Sequence, residues 1–128
     1  MAVKYKVVSK RPGGIAGERS PKYYPAVTKR GLIDARELAY LLSEANAFSR
    51  PTVIGVIESF IHMIPTLLQR GNNVKLDGFG TFSLHVSGEG KDDPDEVSSR
   101  DITHVKMSFL PDKKIKEQLS HTKFEKVE

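Results

Sequence analysis

The sequence predicts an α+β fold: two helices, then a β-hairpin sheet and a short last helix, with extra strands ahead of them. Three observations predict it. Apolar residues between positions 34 and 70 recur at helical spacing, the spacing switches to alternation after Gly71, and apolar and basic residues alternate near the start before any helix begins. The 128 residues are divided into a basic extension, residues 1–31, holding one or two strands, and a main domain, residues 32–128.

Val3, Tyr5 and Val7 alternate with Lys4 and Lys6, the period of a half-buried strand. Residues 11–21 contain Pro12, Gly13, Gly14, Gly17 and Pro21 and read as a loop. Residues 22–27 make a second short strand, which Pro25 restricts to an edge or a bulge. Asp34 caps a helix, with Glu37 three residues on as in a capping box, and Leu38, Leu41, Leu42 and Ala45 share one face before Asn46 and Ala47 end it. Ser49 caps a second, longer helix, with Phe48 and Val53 at hydrophobic-staple positions and Pro51 in the tolerant first turn. Val53, Ile54, Val56, Ile57, Phe60, Ile61, Ile64, Leu67 and Leu68 give it a wide apolar face; Pro65 should bend it and Gly71 stops it. One short helix and a few strands do not cover so apolar a surface, whereas a second copy of the chain would.

After Gly71, strands at 74–77 and 81–86 flank a sharp turn, Gly78-Phe79-Gly80. Residues 87–101 are polar, broken by Gly88, Gly90 and Pro94, and read as a projecting arm; with its strand ends the arm covers about 87–104. Residues 102–110 alternate again. Pro111 and Asp112 open a short helix with Ile115 and Leu119 inward, and Phe124 and Val127 pack locally in the tail.

The net charge of +4 is unevenly spread. Residues 1–31 carry +7, residues 32–86 carry −1, residues 87–101 carry −4 and residues 102–128 carry +2. The basic extension is a candidate polyanion surface. There is no Cys, so disulfides and thiolate metal sites are excluded. The alternating start does not read as a secretory signal, no apolar run approaches the roughly 20 residues that cross a bilayer, and the expected location is the cytoplasm. No enzyme, cofactor, metal or small-molecule substrate is expected. His62, His85, His104 and His121 share no ligand spacing, although His85 and His104 fall on neighbouring strands; Glu58 and His62 stand alone one helical turn apart; and no Gly-rich loop precedes a helix.

Arg70-Gly71-Asn72-Asn73-Val74-Lys75-Leu76-Asp77-Gly78-Phe79-Gly80-Thr81-Phe82 resembles the signature of the bacterial HU/IHF histone-like DNA-binding family, where a helix ends at Gly and a strand leads into Gly-Phe-Gly-x-Phe. Phe109-Leu110-Pro111-Asp112-Lys113-Lys114-Ile115-Lys116 is similar to that family's closing Phe and basic helix. The resemblance covers about residues 32–120; the extension, with Tyr23-Tyr24-Pro25, resembles a divergent HU-like subgroup. It implies an intertwined, obligate dimer, homodimeric or heterodimeric with a related chain. Its core would contain Ile57, Phe60, Ile61, Ile64, Leu68, Phe79, Phe82 and Phe109. It further implies a non-enzymatic, architectural protein of the nucleoid that binds double-stranded DNA with low sequence specificity, its paired arms wedging an apolar tip between base steps.

The arm departs from that pattern. Family arms are basic with an Arg-Asn-Pro-like tip, whereas Pro94 here lies among acids, and carboxylates are repelled by phosphates. The expected DNA contacts therefore move to the body, to Lys113, Lys114 and Lys116 with Lys75, Arg100 and Lys106, and to the extension, where Lys4, Lys6, Arg11 and Lys22 stand among Lys10, Arg19, Lys29 and Arg30. Tyr23 and Tyr24 are assigned to edge packing before base stacking. The rival reading is an interaction module that keeps the HU scaffold while its acidic arm recruits a basic protein.

Overall fold

The structure is a computed structural model and describes residues 2–10, 21–28 and 30–127. The predicted loop at 11–20, with Arg11 and Arg19, and Lys29 lie outside the described residues. The chain divides into two compact units, Met1–Leu32 with Gln118–Glu128, and Ile33–Glu117.

The first unit is a three-stranded sheet. Strand β1 (Val3–Lys10) pairs antiparallel with β2 (Lys22–Val27), Lys10 opposite Lys22 and Tyr5 opposite Val27. β2 is an edge strand, which is where Pro25 costs no ladder bond. The last residues of the chain, expected to pack only locally, supply the third strand, β6 (Phe124–Lys126), parallel to β1. Phe124 remains exposed.

The second unit begins with helix α1 (Ala35–Ala45), where the Asp34 carboxylate accepts from the Glu37 N–H at 2.9 Å. Helix α2 (Arg50–Gln69) follows, capped by the Ser49 hydroxyl accepting from the Thr52 N–H. The helix continues through Pro65. α2 ends in a Schellman motif: Gly71 has φ +90°, its N–H donates to the Leu68 carbonyl, and the Asn72 N–H donates to the Leu67 carbonyl. One expectation is corrected here. α2 is long and apolar enough to cross a membrane by length and composition, because Val, Ile, Phe, Met and Leu run through it with few charges. Among the described residues, Ala39, Val53, Ile64 and Leu68 are the buried hydrophobics of one chain.

β3 (Val74–Leu76), β4 (Gly80–Gly88) and β5 (Ile102–Pro111) form an antiparallel sheet in that order. Between β3 and β4 the Phe79 N–H donates to the Leu76 carbonyl and Gly78 takes φ +78°, the region a tight turn reserves for glycine. Gly80 is buried, and a Cβ there would stand 2.5 Å from the Phe109 ring and 2.6 Å from the Leu110 carbonyl oxygen. Gly80→Ala is therefore expected to destabilise the unit by about 1–3 kcal/mol or more, since a backbone oxygen cannot step aside as a flexible side chain can; urea midpoints of the two proteins check this.

Helix α3 (Lys113–Ser120) closes the unit. Its start is tied to the hairpin turn by the Asp112 N–H donating to the Phe79 carbonyl at 2.8 Å. Ile115 is half-buried as expected, but Leu119 is exposed, a correction: it stands in the last turn of an eight-residue helix.

Candidate nucleic-acid interface

The register of the second sheet sorts its side chains by face. Val74, Phe82, Leu84 and Val86 share one side with Phe109, Met107 and Val105, their cross-strand partners. Lys75, Thr81, Ser83, His85 and Ser87 share the other with Leu110, Ser108, Lys106 and His104. On the apolar side Phe60 of α2 meets Phe82 edge-to-face at 6.4 Å, and Phe82, Phe109 and Phe79 continue the ring contacts at 4.9 and 5.0 Å. Helix α2 is thus anchored to one face, leaving the other polar.

That polar face holds two of the predicted contacts, Lys75 and Lys106, both exposed. Around them lie the imidazoles of His85 and His104, and hydroxyls not singled out from the sequence. The Ser83 hydroxyl is 3.0 Å from that of Ser108 and 3.2 Å from His85 Nε2, and Thr103 Oγ1 is 3.0 Å from His104 Nδ1. Strict alternation from Thr81 puts Ser83 and Ser87 on the side of His85, whereas Ser108 and His104 join them only through strand register. His85 and His104 do share this face, two register pairs apart, His85 opposite Lys106 and His104 opposite Ser87. No group of three His, Asp or Glu side chains among the described residues is arranged to hold a metal.

Lys113, Lys114 and Lys116 are exposed in the first turn of α3, beside the Gly78 turn, where a Cβ on Gly78 would lie 3.6 Å from Lys114 Cδ. Helical spacing puts the three lysines on one broad side and Ile115 on the other. The Phe79–Asp112 hydrogen bond therefore holds the basic helix start at the end of the hairpin.

The arm is more ordered than a loop. Gly88 pairs with Ile102, so Thr103 is the extra residue of a bulge, and a Cβ on Gly88 would collide with the Asp101 carbonyl oxygen. The tip folds into two 3₁₀ turns, Pro94–Glu96 and Ser99–Asp101. Asp93 accepts from the Asp95 N–H at 3.0 Å, Asp101 accepts from the Ser98 N–H at 2.9 Å, and Lys91 pairs with Asp101 at 3.5 Å. Two of the arm's acids are thus used to cap their own turns. Pro94 opens the first turn between Asp93 and Asp95, and Arg100 lies in the second, away from the lysines of the sheet and α3 in sequence and element.

Of the predicted dimer core, Ile64 and Leu68 are buried within one chain, Ile57 and Phe82 are half-buried, and Phe60, Ile61, Phe79 and Phe109 are exposed. In the first unit Lys4 pairs with Glu125 at 2.8 Å, a partner that only the pairing of β6 with β1 brings near. Lys6 and Lys22 are exposed on the same sheet.

The family described as an HU domain fused to wHTH, Ig, or Glycine-rich motif, HU-HIG, matches residues 1–126. The chain belongs to the HU-HIG family. The match takes in the basic extension as well as the hairpin and helices. The integration host factor alpha subunit of Vibrio atlanticus is 31% identical over 98 residues, 70% of this chain and 94% of that protein; its Vibrio cholerae counterpart is 32% identical over the same shares. Among solved structures, Anabaena HU in a DNA cocrystal matches with a TM-score of 0.55 at 17% identity, covering 70% of this chain and 99% of that one. A candidate bacterial DNA-binding protein from Bacteroides vulgatus matches with a TM-score of 0.70 at 15% identity over 98% of this chain. This chain spans about half the length of that protein, 48%. The two likenesses establish the fold, and the larger coverage of the second extends it to nearly the whole HU-HIG chain.

Proposed function

We propose that this HU-HIG chain is a non-enzymatic architectural protein that binds duplex DNA as an intertwined dimer, homodimeric or paired with a related chain. It would act with little sequence preference, in the cytoplasm at the nucleoid. The observation that carries the reading is the two-sided second sheet. Its apolar face is packed on α2 through Phe60 and Phe82, and its polar face presents Lys75 and Lys106. Lys113, Lys114 and Lys116 stand at the end of the hairpin. Lysines and hydroxyls on a rigid strand and helix suit phosphates, which position a protein without reading bases. The integration host factor relatives and the DNA cocrystal of Anabaena HU support the same ligand.

Dimerisation rests on α2. Val56, Phe60 and Met63, at helical spacing, and Ile61 beside them stay exposed in a single chain, an apolar stripe of the kind that marks a contact surface. A second copy suits it better than a bilayer, because Glu58 and His62 sit near the middle of the helix, where lipid would have to take a carboxylate.

The test is a salt titration with duplex DNA. The expected result is a steep linear fall of log K with log salt, about 0.9 per phosphate neutralised. Absence of binding at low salt would refute this reading and favour the interaction module. In the same assay, deleting residues 89–98 leaves affinity unchanged or raises it, because the deletion removes more acids than bases; a large loss would place the arm on the DNA after all.

A further inference from the structure

We propose that the N-terminal sheet carries a second phosphate-binding face, formed by Lys6, Lys10 and Lys22, that takes the backbone of duplex DNA. The proposal rests on the DNA-binding reading above and extends it to a surface with no counterpart in that argument.

The register builds the face. Lys10 stands directly opposite Lys22, Val8 opposite Tyr24, and Lys6 opposite Ala26, while alternation along β1 brings Lys4 to the same side. Tyr5, Val7, Pro25, Val27 and Phe124 take the reverse side. One side of this small sheet therefore gathers Lys4, Lys6, Lys10 and Lys22, and the other is mainly apolar, with Lys126 opposite Tyr5 and Ser9 opposite Tyr23. Lys6, Lys10 and Lys22 are exposed.

Like charges directly opposite on neighbouring strands disfavour pairing. On this same face the chain relieves one lysine: β6 sets Glu125 opposite Lys4, and their charged groups lie 2.8 Å apart. Among the described residues no carboxylate does this for Lys6, Lys10 or Lys22. A sheet that tolerates an opposed lysine pair beside one it neutralises is arranged for a counter-ion from outside. The spacing fits a long polyanion: Lys6 and Lys10 are about 13 Å apart along an extended strand, and a duplex presents one negative charge per roughly 1.7 Å of axis. The half-exposed Tyr24 ring lies between the lysines and adds contact area without adding charge.

The test compares the full chain with the Lys6→Gln/Lys10→Gln/Lys22→Gln variant in salt titrations on the same duplex. The expected result is a slope of log K against log salt shallower by about 2.7, three phosphates' worth. The thermal midpoint is expected to hold or rise, because the opposed pair is gone. The arginine triple keeps the parental slope. Should the glutamine triple fail to fold, Lys22→Gln alone, on the edge strand, reads a change of about 0.9. An unchanged slope in a parent that binds DNA overturns this face and leaves the main reading standing; a parent that binds no duplex overturns both.

Discussion

Exchanging Lys113, Lys114 and Lys116 for Glu weakens duplex binding on every sequence, most strongly at low salt. Three phosphate contacts correspond to about 2.7 in the salt slope, so the affinity gap between the parent and the variant shrinks by about 40-fold as salt rises from roughly 50 to 200 mM. Reversal of charge adds repulsion, so these figures are lower bounds. The fold should survive, because the three side chains are exposed and the helix start is held by backbone, the Asp112 N–H on the Phe79 carbonyl. Fluorescence anisotropy with labelled duplex measures the effect. An unchanged slope would move the interface off α3 and leave the polar sheet face to carry it.

Placing a charge on α2 is expected to separate the subunits. Ile61 is 54% exposed in a single chain, so Ile61→Asp costs a lone subunit little. Across a two-fold interface the same change removes the remaining burial of two isoleucines, about half the 1.5–3 kcal/mol of a fully buried side chain each, and buries two carboxylates in their place. The loss from the hydrophobic part alone, about 1.5–3 kcal/mol per dimer, corresponds to a dimer constant lowered by about one to two orders of magnitude. Sedimentation equilibrium reads it directly. A parent that sediments as one folded subunit at micromolar concentration removes the basis for the dimer, and the membrane-like composition of α2 would then need another explanation.

Much of the fold was legible because its signals are local. Asp34 and Ser49 announced the helix starts, Gly71 the Schellman stop, and Gly78-Phe79-Gly80 the turn, each through chemistry confined to a few neighbouring residues. Pro25 restricted its strand to an edge or a bulge for the same reason, and the strand lies at the edge. What stayed hidden depends on residues far apart in the chain. The pairing of residues 124–126 with the first strand gives Lys4 a carboxylate that nothing near position 4 suggests. The face shared by Ser83, Ser108, Lys75 and Lys106 exists only once three strands are in register. The acidic arm was visible as composition, but not as two capped turns in which Asp93 and Asp101 serve backbone N–H groups.

From the sequence alone came the three helices, the strands as far as β5, the capped starts of α1 and α2 and the uneven charge along the chain, because periodicity, capping and turn formation act over one or two turns of backbone. Only the tertiary structure decided which lysines stand opposed or neutralised, which polar groups share a face, and which apolar side chains one chain leaves uncovered. Those are properties of strand register and packing, set by contacts between residues that the chain order keeps apart.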